Sequence, residues 1–388
     1  MRTMHPVLKR GGLFWDRELL PPRAYEARFA RIQAEIAASG DDSWLIYGDV
    51  ERYGALAWFC NFLPRTRSAS ALVPASGPPT LLIAVGLRDV PAAKTLTWVD
   101  DVRPFARLPR ALASVIRERG LESARIGLAC VEELLSIKDW NEIISAVPGA
   151  LFVTRTNEVA ALRANKDECE FAALRQAAEV VSGALDLCEG LLKPGVNLRV
   201  ALSQVERHAR ANAAEDVRIM QAAGRNASIA LRPLEDHELR DGDIVMVYVA
   251  AEAQRYWAEE ARTFVLGIAT PNLRRLASRA MAALDAMTER ASAGNSVGAL
   301  ACAADIALDA AHLRDAAGGY GYGSGVGLDL AEAPFIARDG DERLPERGAL
   351  ALRVIAHEKG AGIALARTVH FRGDARESFG KPGLVEIL

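Results

Sequence analysis

Apolar positions recur at helical spacing from Pro22 to Ser39, where Tyr25, Phe29, Ile32 and Ile36 fall on one stripe. Such a stripe predicts an amphipathic helix laid against a sheet. Short apolar runs follow at Ser43-Trp44-Leu45-Ile46-Tyr47, Ser70-Ala71-Leu72-Val73 and Thr80-Leu81-Leu82-Ile83, separated by Pro, Gly and Asp, and these read as strands. The helical period returns over residues 108–119 and 132–146, and Ala150-Leu151-Phe152-Val153 adds a short strand. Strand and helix thus alternate through residue 155, the pattern of an α/β domain. The connection over residues 154–164 leads into a long helix starting near Lys166. It marks the expected boundary, with residues 1–158 as one domain and 159–388 as the other.

In the second half, Pro194-Gly195-Val196-Asn197 opens a predicted helix through residue 213, and Ala293-Gly294-Asn295-Ser296 opens another through residue 311. Asn197 and Ser296 are their expected N-caps. Between them, Gly242-Asp243-Ile244 opens one strand and Ala258-Glu259-Glu260-Ala261-Arg262-Thr263-Phe264 closes a second, so residues 243–264 read as a hairpin. The two helix openings form a faint internal echo.

At 388 residues the chain exceeds one compact core, which agrees with two domains. A net charge of -3 offers no electrostatic case for nucleic acid. No apolar run approaches membrane-spanning length, and Arg2, Lys9 and Arg10 are followed by no signal-like stretch, so neither membrane nor export is expected. The five cysteines are odd in number and scattered, which points to a reducing, cytoplasmic setting.

The segment from Gly242-Asp243 to Arg262-Thr263-Phe264 resembles the creatinase, prolidase and methionine aminopeptidase superfamily, the pita-bread fold. Arg163, Lys166, Glu170, Leu174, Arg175 and Ala177 match that superfamily's helix opening, and Lys193-Pro194-Gly195-Val196 matches the turn before its second helix. Tyr322-Gly323-Ser324-Gly325-Val326-Gly327-Leu328, followed by Glu332 and Pro334, matches its Gly-His-Gly and His-Glu-x-Pro segment. The resemblance covers residues 160–388 and implies an α/β protein of two domains: an N-terminal creatinase/prolidase-like domain and a C-terminal pita-bread domain. It also implies a homodimer. Its metal-ligand positions hold other residues here. Tyr248 and Glu259 stand at the two Asp positions, Ser324 at the His position, and Val354 and Ala366, beside Arg353 and Arg367, at the two Glu positions. Leu231 and Ala331 stand where accessory histidines belong.

A divalent metal needs several anionic oxygens and imidazole to offset its dehydration. Glu259 is the one anion left at those five positions, so no metal and no other cofactor is expected. Loss of the acids should turn the pocket neutral or positive, with Arg353 or Arg367 clamping a carboxylate. Glu259, Tyr248 and Ser324 are the candidate catalytic residues: an acid/base carboxylate, a hydroxyl for an oxyanion, and a donor or nucleophile between glycines. The candidate substrate contacts are Arg353, Arg367, Glu332, His357, Tyr322 and Trp257. Arg65 joins them through the resemblance of Phe62-Leu63-Pro64-Arg65 to an N-terminal loop of creatinase. Creatine hydrolysis is not expected, because Leu231 and Ala261 replace the residues that the resemblance would require. The glycines from 318 to 323, with Tyr320 among them, lack the preceding strand of a dinucleotide site. The leading expectation is a metal-independent enzyme acting by acid/base chemistry, as a hydrolase or a lyase or cyclase, on a small amino-acid-like or amide-bearing molecule that carries a carboxylate. The alternatives are a non-catalytic cleft that binds a peptide or protein, and a peptidase with an altered metal site.

Overall fold

The computed structural model describes residues 13–225, 227, 231–308, 321–358 and 360–388, so Arg2, Lys9, Arg10, Asn226, residues 318–320 and the expected helix end at residues 309–311 lie outside it. Two compact units divide the chain, Phe14–Arg163 and Ala164–Leu388. Among the described residues no helix is long and apolar enough to cross a membrane.

The first unit is built on a six-stranded sheet of β1 (Ser43–Asp49), β2 (Ser68–Pro74), β3 (Thr80–Ile83), β4 (Asp101–Pro104), β5 (Arg125–Ala129) and β6 (Leu151–Thr154). The order is β4-β3-β2-β1-β5-β6, with β1, β2 and β3 antiparallel and the outer pairs parallel. The helix Pro22–Ser39 runs as its stripe predicts and is closed by Gly40 at φ 67°. It buries Tyr25, Ile32 and Ile36, and also Arg28, whose Nη1 donates to the Trp58 carbonyl. Two expectations are corrected. Residues 132–146 form two helices, Val131–Leu134 and Ile137–Ala146, because Ser136 accepts from the Asp139 amide and restarts the turn as an N-cap. Residues 154–164 are no loose connection but contain the helix Thr156–Ala164, after which Asp167 and Glu170 form the capping box of the helix Glu168–Asp186.

The second unit carries a nine-stranded sheet: β7 (Asp216–Gly224), β8 (Ile244–Ala253), β9 (Tyr256–Leu266), β10 (Gly323–Gly325), β11 (Glu332–Phe335), β12 (Arg347–Glu358), β13 (Ala361–Arg372), β14 (Ala375–Phe379) and β15 (Leu384–Ile387). Its main path is β11-β10-β12-β13-β9-β8-β7, with β14 beside β13 and β15 beside β9. The hairpin of β8 and β9 turns at Gln254 and Arg255, both at positive φ, and buried Glu215 holds the Arg255 amide and guanidinium. The helices Glu168–Asp186 and Leu198–Ala211 pack on Val245, Val247 and Val249 of β8. On this face Arg262 of β9 also reaches Asp186 at 2.6 Å. Strand alternation sends Tyr248 and Glu259 to the opposite face. Asn197 caps its helix as expected, and the Ser296 hydroxyl accepts from the Ala299 amide at the start of Val297–Leu308.

One buried charge organises the first sheet. The Asp41 side chain, fully buried just before β1, accepts from Arg125 at 2.8 Å, Arg155 at 2.7 Å and Trp44 at 2.8 Å, tying the ends of three strands. Burial alone would push its carboxyl up, but the hydrogen bonds from Arg155, Trp44 and Arg125 outweigh it and lower the pKa to about 2. A carboxyl with a depressed folded pKa stabilises the fold above its unfolded pKa and loses that contribution as pH falls. Urea unfolding should therefore show about 2 kcal/mol of stability lost between pH 5 and pH 2 through this group. Asp41→Asn, already weakened at pH 5, should lose correspondingly less over the same interval.

Candidate active site

Pairing across the second sheet decides which side chains share a face. Tyr248 lies opposite Ala261, Ala261 opposite Ala366, and Ala366 opposite Arg353, so these four residues form one row across β8, β9, β13 and β12. Glu259, two residues before Ala261, falls on the same face. The expected ligand positions on β12 and β13 are corrected in register: Val354 pairs with Leu365 on the helix-covered face, and Arg353 is the residue that shares a face with Ala366.

The row closes on a three-residue network. Arg353 Nε and Nη2 donate to the two oxygens of Glu259 at 2.5 and 2.6 Å, and the Tyr248 hydroxyl donates to Glu259 at 2.8 Å. The Thr368 hydroxyl accepts from the Glu259 amide and donates to its carbonyl, which fixes the backbone of β9 at that residue. The Glu259 side chain is fully buried, whereas that of Arg353 is 16% exposed. Burial, and then the neighbouring Glu259 carboxylate, push the Tyr248 hydroxyl well above its ordinary range, so Tyr248 stays protonated. Burial works against the Arg353 charge, but the Glu259 carboxylate more than offsets it and the net shift is upward. The arrangement is a buried, charge-balanced pair steadied by a phenol.

Over this network lies a cavity of about 520 Å³. Tyr248 and Arg353 line it together with the apolar Met220, Leu231, Leu234, Leu330 and Ile355. Met220 is the cross-strand neighbour of Tyr248, and Leu231 stands where the resemblance would place an accessory His. Two further charged residues line the cavity and each has a partner. Glu206 pairs with Arg210 at 3.0 Å, and Arg218 with Asp216 at 3.2 Å. Of the neutral or positive pocket expected, these pairings describe the neutral form.

The other candidates are distributed differently. Arg367 shares its face with Leu352 and reaches Asp285 at 3.0 Å and Met281 on the helix Pro271–Arg290, so it is turned away from the row and cannot clamp a ligand there. Glu332 is ion-paired with buried Lys166. Tyr322 donates to Asp305 at 2.5 Å and lies under the Arg338 guanidinium, a network apart from Glu259. Burial and the Asp305 carboxylate push its hydroxyl up. Trp257 is buried, with its ring 5.6 Å from the Arg218 guanidinium. His357 is half-buried on β12, four residues beyond Arg353 on the same face. Arg65 is exposed in the first unit. Ser324 pairs with Ala351 on the face of the row, and among the described residues its buried hydroxyl has no hydrogen-bond partner and so no base beside it for nucleophilic work. The flanking glycines answer to space. A Cβ at Gly323 would lie 2.0 Å from the Ala351 carbonyl, and one at Gly325 would lie 2.4 Å from that of Ala333.

The residue reading missed Thr368, the Asp285 partner of Arg367 and the apolar wall from β7. The register of β12 and β13 had a usable signal: Glu358 pairs with Ala361 beside Gly360, and counting outward from that pair places Arg353 opposite Ala366.

The family model of metallopeptidase family M24 matches residues 172–372, more than half of the chain, and that of the creatinase/prolidase N-terminal domain matches residues 28–165. The chain belongs to metallopeptidase family M24. Among curated relatives, an uncharacterized hydrolase/peptidase of Sinorhizobium fredii is 24% identical over 238 residues, 60% of each chain. Ectoine hydrolase of Halomonas elongata is 23% identical over 261 residues, 64% of this chain and 65% of that one. Intermediate cleaving peptidase 55 of Arabidopsis thaliana is 23% identical over 51% of this chain and 40% of its own length. The chain thus spans less than two thirds of the length of each of these relatives. Solved structures carry the same fold throughout. The X-Pro aminopeptidase of Thermotoga maritima superposes with a TM-score of 0.83 at 22% identity, covering 93% of this chain and 99% of that one. The prolidase of Pyrococcus horikoshii does so at 0.80 and 18%, covering 93% and 100%.

The family's name implies a metal, and the residues described here do not fit one. At the positions where the resemblance would place ligands stand a phenol, a serine hydroxyl, a valine, an alanine and a single carboxylate, and that carboxylate is already taken on both oxygens, by the Arg353 guanidinium and the Tyr248 hydroxyl. Among the described residues there is no cluster of three or more His, Cys, Asp or Glu able to hold an ion. A guanidinium and a dication compete for the same carboxylate. Thermal melts should accordingly be unmoved by EDTA or added Mn2+. Arg353→Met should cost about 3 kcal/mol in urea unfolding, because Glu259 is then buried without its counter-ion. Glu259→Gln combined with Arg353→Met should recover most of that loss.

Proposed function

We propose that this chain is a metal-independent hydrolase of family M24 that takes a small carbonyl-bearing molecule, an amide or ester, into the cavity over Arg353. One observation supports the reading above the others. Arg353 uses Nε and Nη2 on Glu259 and also meets the Tyr248 hydroxyl while lining the cavity, and since among the described residues no hydrogen bond is placed on Nη1, we take Nη1 as the nitrogen that meets a ligand oxygen. An N–H aimed at a carbonyl oxygen polarises the bond and stabilises negative charge that grows there. Glu259 and Tyr248 hold the guanidinium in one orientation, which preorganises that donor. The volume of about 520 Å³ suits a small ligand with an apolar body. Hydrolysis is also the reaction class in the printed names of two relatives, the Sinorhizobium fredii protein and ectoine hydrolase.

A second reading, binding without turnover, is favoured by the full engagement of Glu259. Both of its oxygens have partners, so none stands open to take a proton from water. One experiment separates the two. Protein stripped of metal, with its metal content measured by mass spectrometry, is offered a panel of small amides and esters. The leading reading expects turnover that survives metal removal, falls about 100-fold in kcat/KM in Arg353→Met, and persists in Arg367→Met. Binding without turnover selects the second reading. Activity that returns only with Mn2+ contradicts both.

A further inference from the structure

We infer that Glu259 sets the charge class of the ligand: by neutralising Arg353 from beneath, it reserves the cavity for an uncharged molecule and acts as a counter-ion, not as a proton-transfer group. The inference rests on the reading that the cavity over Arg353 is the ligand site.

The geometry leaves Glu259 little other role. Its side chain is fully buried, each oxygen accepts from Arg353 with Tyr248 adding a further donor, and Thr368 holds its backbone on both sides. A carboxylate that gave up these bonds to accept a proton would leave Arg353 uncompensated in a largely apolar surrounding. The charge balance around the cavity is otherwise closed. Arg218 is paired with Asp216 and Glu206 with Arg210, so Arg353 and Glu259 are the pair on which the balance at the cavity floor turns.

Three ligand charges then have three different fates. A carboxylate on Arg353 Nη1 would bring a second anion beside Glu259 with one cation to share, which like-charge repulsion disfavours. An ammonium would meet apolar walls and a Glu259 whose oxygens are already engaged. A neutral carbonyl needs only one donor, which Nη1 supplies, and its apolar body is matched by Met220, Leu231 and Ile355.

Three nearly isosteric probes test this by calorimetric titration: 4-methylpentanamide, 4-methylpentanoate and leucinamide protonated at its amine. The wild-type protein should bind the neutral amide at least about tenfold more tightly than either charged probe. Glu259→Gln keeps the size of the side chain and removes the charge, so the order of amide and carboxylate should invert. A purely structural glutamate would weaken all probes alike and invert nothing. Carboxylate binding as tight as amide binding in the wild type, lost in Arg353→Met, would overturn the charge inference and leave the cavity reading standing. Absence of binding by all three probes would overturn both. Loss of turnover in a folded Glu259→Gln protein with its probe order unchanged would make Glu259 a proton-transfer residue and end the inference. Should Glu259→Gln fail to fold by circular dichroism, the wild-type probe order decides alone.

Discussion

The bidentate ion pair between Arg353 and Glu259 is the interaction on which the second unit's cleft depends. Two strands that are not neighbours, β9 and β12, are joined through it across β13 on the face away from the helices. Because both charges are withdrawn from water, the pair holds only while each partner is present. Tyr248 and Thr368 complete the enclosure, the first through a hydroxyl that burial keeps protonated and the second through the backbone. In a chain whose family is named for a metal, the row of Tyr248, Ala261, Ala366 and Arg353 carries an organic cation paired with Glu259.

That substitution reorganises the surroundings consistently. Leu231 and Ala331 stand where accessory histidines belong in the resemblance, and Leu231 becomes part of an apolar wall with Met220 and Ile355. The remaining charges near the cavity are paired at its exposed edges. Elsewhere Lys166 meets Glu332, and Gly323 and Gly325 allow backbone approaches that any Cβ would block.

Much of the fold was legible in the sequence because its cues are local. The stripe of Tyr25, Ile32 and Ile36, the caps at Asn197 and Ser296, and the ordered motifs from Arg163 to Pro334 placed the helices, the hairpin and the family. The site was legible only in part. Tyr248 and Glu259 were found from their spacing on the hairpin, and Arg353 was named as a ligand contact. Its pairing with Glu259 was missed, because it depends on strand register, and a shift of one residue exchanges the two faces of a strand. Arg353 and Arg367 looked equivalent as neighbours of two ligand positions, yet the pairing of Arg353 with Ala366 and of Arg367 with Leu352 sends them to opposite sides of the sheet. The break at Ser136 was similarly hidden, since a capping residue inside an apolar period reads as one more polar position until the helix is seen to restart.

The central claim is that a guanidinium occupies the place of the family's metal. Anomalous diffraction at the manganese edge, from crystals grown with excess Mn2+, tests it most directly. The account predicts Arg353 bridging both oxygens of Glu259 and no anomalous peak among Tyr248, Glu259 and Ser324. A strong peak there, with Arg353 swung away from Glu259, would contradict it.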